Sequence, residues 1–294
     1  MRRALAHWSG LIELLRPQQW IKNAFVLVGL VFGHAWRDPA AVAAALAATL
    51  AFCLASGAVY AFNDARDAVQ DRDHPDKRNR PVARGAVTDA EAVVLSALVA
   101  ALAVALAAWT GWKVAAIVAI YLALSAAYTL RLKRVPVLDV IVIAAGFMLR
   151  LLAGTAGIGI EPSNWLLACG FLLTLFLGFA KRRAEIGRLA EGAGQHRPVL
   201  EDYSAGFLDK AIMLCAAGMV AAYAWYTLAA QTALIQGTGS LILTLPWVLL
   251  GTLRYLYRLR FRGGGGDPAV ELLRDPLLAV AVAGWIATVL WLIG

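Results

Sequence analysis

Nine runs of mainly apolar residues divide this chain, at about 20–36, 40–62, 90–109, 113–130, 137–158, 165–180, 207–230, 241–257 and 276–293. Each approaches the length of about 20 residues that an α-helix needs to cross the hydrocarbon core of a bilayer. The first is the shortest. Ala, Leu and Val dominate the runs, which favours helix, and a helix satisfies all of its own backbone polar groups within lipid. The pattern predicts an all-α, polytopic membrane protein with nine transmembrane helices, built as a single integral membrane domain over residues 1–294. The N-terminal stretch is broken at Glu13 and at Arg16-Pro17 before any adequate apolar core. The first run therefore reads as a retained span rather than a cleaved signal.

Composition agrees. Apolar residues make up 61% of the chain, against roughly 45–50% in soluble globular proteins. Charged residues are only 16% and mean hydropathy is +0.69, which excludes both a soluble globule and a disordered chain. The net charge of +8 would suggest nucleic acid in a soluble protein. Here its distribution gives a different explanation. Of the 27 Lys and Arg, Arg37 and Lys113 fall on one side of the predicted spans and Arg150 within one, and all the rest fall on the other side, counting Arg254 at the end of the eighth run. Basic loops mark the cytoplasmic side. The N-terminal segment of about 1–19 is thus expected in the cytoplasm, the C-terminus opposite, and the chain in the cell (inner) membrane with no nucleic-acid partner. Cys53, Cys169 and Cys215 lie inside apolar runs without ligand spacing and read as small buried hydrophobes. The run Gly263–Gly266 lacks a following Lys-Ser/Thr, so it is no P-loop and reads as a linker.

Most polar candidates sit in the basic loops, so chemistry is expected in a cavity on the cytoplasmic side. The segment Tyr60-Ala-Phe-Asn-Asp-Ala-Arg-Asp-Ala-Val-Gln-Asp71 is the most informative. On a helix turning about 100° per residue, Tyr60, Asn63, Asp64, Asp67 and Asp71 share one edge and Arg66 points away. Two carboxylates about 6 Å apart repel by about 3 kcal/mol at an effective dielectric of about 20. A stack of three therefore calls for a cation. Mg²⁺ is the natural candidate, because it takes a few carboxylates and completes its octahedron with water and phosphate oxygens. Internal pairing with Arg72, Lys77, Arg78, Arg80 and Arg84 is the alternative. The basic run Lys77-Arg78-Asn79-Arg80-Pro81 suits either a phosphate or the membrane surface.

The pattern N-D-x-x-D-x-x-x-D leaving the second span, followed by D-R-x-x-x-x-x-R-x-R-P, resembles the UbiA superfamily of membrane prenyltransferases. The resemblance implies a UbiA-like helical bundle in which Asn63, Asp64, Asp67 and Asp71 form a metal and diphosphate site, with the three aspartates holding Mg²⁺. The second family motif usually contains D-x-x-x-D. This sequence has Asp139 but Ile143, leaving Tyr128-x-x-x-x-Lys133-Arg134 and then Pro136-Val-Leu-Asp139.

Three further segments resemble one branch, the decaprenyl-phosphate phosphoribosyltransferases. They are Arg16-Pro-Gln-Gln-Trp-Ile-Lys22-Asn23, Leu138-Asp139 leading to Arg150-Leu-Leu-Ala-Gly154, and Lys181-Arg182-Arg183-Ala-Glu185. This implies Mg²⁺-dependent transfer of 5-phosphoribosyl from phosphoribosyl diphosphate to a polyprenyl phosphate, with release of diphosphate and a place in cell-wall biosynthesis. Substrate contacts are then expected from Lys22, Asn23, Asn63, Lys77, Arg78, Arg80, Tyr128, Lys133, Arg134, Asp139, Lys181, Arg182 and Glu185. Positive-inside anchoring is the alternative reading of the basic clusters. Arg150, an intramembrane cation, is read as pocket-lining or helix-packing. The rival activity is a UbiA-type prenyltransferase joining a prenyl diphosphate to an aromatic or other acceptor; transport is a more distant one. Assembly into a homo-oligomer is left open.

Overall fold

The computed structural model describes residues 2–73, 77–190, 198–266 and 268–294, and these form α-helices and short 3-10 segments without a strand. The helices are α1 (Arg2–Leu14), α2 (Val28–Phe32), α3 (Pro39–Arg72), α4 (Asp89–Thr110), α5 (Trp112–Leu130), α6 (Leu138–Ala153), α7 (Asn164–Ala190), α8 (Ala205–Leu228), α9 (Ala230–Gln236), α10 (Leu245–Phe261), α11 (Pro268–Arg274) and α12 (Pro276–Ile293). Local sequence sets their starts. Asp38 caps α3 by accepting from the Ala40 N–H at 2.9 Å, and Thr88 and Glu91 form a reciprocal capping box on α4.

Seven described helices are long and apolar enough to cross a bilayer, and α9 with Leu241–Phe261, bent by 91°, makes an eighth if the pair is one span. The nine predicted runs differ from this at the first. There the chain forms a 3-10 segment, Pro17–Leu27, continued by α2. With about three residues per 3-10 turn, positions three apart face the same way, and Asn23 and Val26 are both buried.

The chain divides into two compact units, 1–132 with 146–162, and 133–145 with 163–294. In the first, Ala48, Ala51 and Ala55 of α3 are buried in one cluster with Ala103 and Ala107 of α4. Small side chains let membrane helices approach closely, where dispersion rather than hydrophobicity drives packing. Outward residues of α4 stay apolar, Leu98 being 65% exposed, as a lipid-facing surface requires. The tightest approach is backbone on backbone. A Cβ on Gly154 would stand 1.6 Å from the Val26 carbonyl oxygen, and one on Gly29 would stand 1.9 Å from that of Gly154. Gly154→Ala is therefore expected to destabilise by about 1–3 kcal/mol or more through overpacking, read as a lower thermal midpoint of purified protein. An unchanged midpoint would show that this crossing yields at no cost.

The second unit packs Phe176, Phe179, Leu208, Ile212, Tyr255 and Leu278 together. Hydrogen bonds tie its helices where lipid offers none: Trp285 Nε1 donates to the Tyr223 hydroxyl at 2.8 Å, which lies 2.6 Å from the Thr244 hydroxyl. Asp275 caps α12 and also accepts from Arg254 and Arg258 at 2.8 and 2.9 Å. Hydrogen bonds from Arg254, then from the Leu278 N–H and Arg258, hold its carboxyl below the usual carboxylate range.

Candidate active site

The end of α3 carries the acidic edge. Asp64 and Asp71 are buried, at 1% and 2% exposure, whereas Asp67 is half-buried and Arg66 exposed. Two arginines from separate segments stand on the edge. Arg16 Nη2 donates to Asp64 Oδ1 at 2.5 Å. Arg80 Nη1 lies 3.2 Å from the same oxygen and 2.6 Å from Asp71 Oδ2, with Lys77 Nζ at 4.0 Å from Asp71. The carboxylate repulsion expected from the spacing is thus offset in part from within the chain, by Arg80 and Lys77 of the downstream basic run and by Arg16, which the charge pattern alone did not place here. Arg16 sits at φ 48°, ψ 61°, a left-handed conformation unusual for a side-chain-bearing residue, with its guanidinium 4.8 Å from the Tyr60 ring centroid.

One oxygen is left over. Among the described residues, Asp64 Oδ2 is the buried side-chain atom without a hydrogen-bond partner. A buried, unpaired carboxylate oxygen costs free energy unless a donor or cation meets it. The edge borders a cavity of about 240 Å³ lined by Arg16, Gln18, Gln19, Asp64, Asn79 and Arg80, so the polar groups there converge on one hollow. Arg78, which precedes the lining residue Asn79 in the chain, is exposed. Asn63 accepts a short hydrogen bond from the Thr129 hydroxyl of α5, and Tyr128 is half-buried next to Thr129.

Asn23 and Arg150 take structural roles. Asn23 is buried, its Nδ2 donating to Cys53 Sγ and Ser56 Oγ at 3.3 Å, its Oδ1 accepting from Arg150 Nε at 2.7 Å. Arg150 also donates to the Gly146 carbonyl and the Tyr121 hydroxyl and lies near the rings of Phe52, Tyr121 and Phe147. The intramembrane cation is therefore spent on packing, and it removes Asn23 from the groups free to meet a lipid phosphate at headgroup depth. Lys22 beside it is half-buried.

In the second unit, Asp139 and Arg182 are buried, at 0% and 1% exposure. Arg182 Nε donates to Asp139 Oδ2 and Nη1 to Glu185 Oε2, both at 2.7 Å. Tyr203 donates to Asp139 Oδ1 at 2.7 Å and accepts from the Val137 N–H at 2.5 Å. Burial, then the Asp139 carboxylate, pushes the Tyr203 phenol above its usual range. Val137 has φ 67°, an outlier for a β-branched residue, and Tyr203 holds it. With both oxygens engaged and no exposed surface, Asp139 positions Arg182 and Tyr203 rather than touching a ligand itself. Tyr203 carries no motif and was missed in the sequence. Lys133, Lys181 and Glu185 are half-buried and Arg134 is exposed.

The profile described as the UbiA prenyltransferase family matches residues 23–270. The chain belongs to the UbiA prenyltransferase family. A decaprenyl-phosphate phosphoribosyltransferase of Mycolicibacterium smegmatis is 34% identical to this UbiA member over 96% of the chain and 91% of its own length. A protein of the same name from Corynebacterium glutamicum is 33% identical over 95% and 85%. The UbiA fold is independently evident in a homologue from Archaeoglobus fulgidus, described as bound to GPP and Mg²⁺. It superposes with a TM-score of 0.72 at 22% identity, covering 97% of this chain and 99% of that one. This UbiA-family chain is accordingly an integral membrane transferase.

Proposed function

We propose that this chain transfers 5-phosphoribosyl from phosphoribosyl diphosphate to a polyprenyl phosphate, releasing diphosphate. The observation that carries the reading is near-full-length identity of 33–34% to proteins named decaprenyl-phosphate phosphoribosyltransferase. The acidic edge and its two arginines supply a chemistry that suits it. The bond between ribose C1 and the diphosphate oxygen breaks, a lipid phosphate oxygen bonds to C1, and the diphosphate leaves with the electron pair. A phosphate monoester is a sufficient nucleophile at neutral pH, so no general base is required.

The donor set fits Mg²⁺ in one particular way. No three or more His, Cys, Asp or Glu among the described residues are placed to hold an ion by themselves. A site that combines one or two carboxylates with water and substrate phosphate oxygens is the usual magnesium arrangement. The partnerless Oδ2 of Asp64 is a ready donor for it, with Asp67 and Asp71 on the same edge. When bound there, the ion supplies Lewis-acid stabilisation of the leaving diphosphate. Arg16 and Arg80 add fixed positive charge at the hollow, and Arg offers phosphate a two-pronged donor. Lys77 and Arg78 extend that charge, Asn63 and Tyr128 flank it, and Lys22, Lys133, Arg134, Lys181 and Glu185 are the remaining substrate-side candidates. The N-terminus and these basic loops face the cytoplasm, where phosphoribosyl diphosphate is soluble, while the lipid acceptor arrives through the bilayer.

The test is direct. Purified protein incubated with Mg²⁺, polyprenyl phosphate and labelled phosphoribosyl diphosphate is expected to place label in the lipid fraction. Label remaining in water while a prenyl diphosphate is consumed instead would replace this reading with the prenyltransferase one.

A further inference from the structure

The second unit holds a larger cleft, of about 880 Å³, where the C-terminal ends of α7 and α10 meet the start of α8. It is not part of the acidic edge, and its walls have two chemistries. Ile212, Met213, Leu256 and Leu259 make it apolar, while Arg183, Arg260 and Asp209 make it charged. Asp209 Oδ1 accepts from Arg183 Nε at 2.9 Å, and Oδ2 lies 3.4 Å from Arg260 Nη1. One carboxylate between two guanidinium groups leaves this wall with an excess positive charge. The three side chains are 29%, 38% and 65% exposed for Arg183, Asp209 and Arg260. Pairs this open to solvent are weakly held, so an incoming anion displaces the carboxylate readily. Gly263 and Gly264 also line the cleft. Gly263 has φ 60°, and nothing lies within 4 Å of where its Cβ would be. Within the glycine run, which reads as a linker in the sequence, Gly263 therefore leaves its part of the wall open, while Gly264 packs against the Glu271 carboxylate that Arg258 holds.

We propose that this cleft binds an anionic phospholipid of the surrounding bilayer, its phosphate between Arg183 and Arg260 and part of an acyl chain along Met213 and Leu256. The proposal does not rest on the phosphoribosyl reading. The volume falls in the range of about 300–1,000 Å³ typical of small-molecule sites, enough for a glycerophosphate head and the first part of a chain. Charge selects the occupant: two guanidinium groups sharing one acid attract a phosphodiester, and they repel the ammonium of a choline lipid. Lys210 and Arg262 adjoin the lining residues Asp209 and Phe261 in the chain, and basic pockets at headgroup level favour acidic lipids.

Full-length protein would be reconstituted with equimolar phosphatidylglycerol and phosphatidylcholine of identical chains, and the lipids kept by the intact complex weighed by native mass spectrometry. Phosphatidylglycerol is expected to be retained over phosphatidylcholine by about 5-fold or more. The double variant Arg183→Gln/Arg260→Gln should lose that preference, and Met213→Trp, which fills the apolar wall, should lower retention of the acidic lipid. Arg66→Gln/Arg72→Gln, a charge change of equal size elsewhere, should leave the preference intact. Each variant is compared as a monodisperse folded fraction. Equal retention of the two lipids by the wild-type chain would overturn the proposal. So would a preference that survives loss of both arginines, or polyprenyl phosphate displacing phosphatidylglycerol from them at equal mole fraction.

Discussion

Asp67→Asn is expected to reduce transfer by on the order of 100- to 1,000-fold, the usual cost of losing one preorganised group that meets charge developing in the transition state, while the protein stays folded. Asp67 stands on the same helical edge as Asp64 and Asp71 and is only half-buried, so Asn keeps its shape and removes its charge. Arg16 and Arg80 retain Asp64 and Asp71 as counter-ions. Labelled-lipid formation, set beside gel-filtration profile and thermal midpoint, separates the two effects. Near-normal turnover would take Asp67 out of the metal and diphosphate set. Asp64→Asn is a poorer probe, because it withdraws charge from a buried oxygen that two arginines share, and would disturb folding and transfer together.

The largest expected stability effect lies at Arg182. Arg182→Met leaves Asp139 buried without its cation, and breaking a buried ion pair from one side costs about 3–5 kcal/mol. Glu185 loses its Arg182 partner at the same time, while Tyr203 keeps its bond to Asp139. The thermal midpoint of the purified variant should fall well below wild type. Adding Asp139→Leu should recover much of the loss, since replacing both partners by apolar groups removes the stranded charge. A single variant as stable as wild type would show that the network does not hold α6 to α7.

The helical class and the acidic edge could be read from the chain because each depends on local periodicity. An apolar run of about 20 residues permits one solution in lipid, and acids three and four apart fall on one helical face whatever surrounds them. Arg16 escaped because its partner, Asp64, is 48 positions away and depends on the path of the intervening 3-10 segment. Tyr203 escaped for the same reason, its bond to Asp139 bridging 64 positions. Asn23 is a substrate candidate through the family-like segment Arg16–Asn23, and only the position of Arg150, 127 residues on, shows its amide to be engaged. Arg150 itself was legible as a packing or lining residue, since lipid tolerates a cation only when its donors are answered.

The 3-10 segment before α2 has a mechanical consequence. Overwound chain climbs about 2.0 Å per residue instead of about 1.5 Å. Pro17–Leu27 and Val28–Phe32, 11 and 5 residues long, therefore reach about 30 Å end to end if they run straight, where ordinary helix would stop near 24 Å. The hydrocarbon layer is about 30 Å thick. Run straight, this overwound stretch has the reach of a helix some four residues longer.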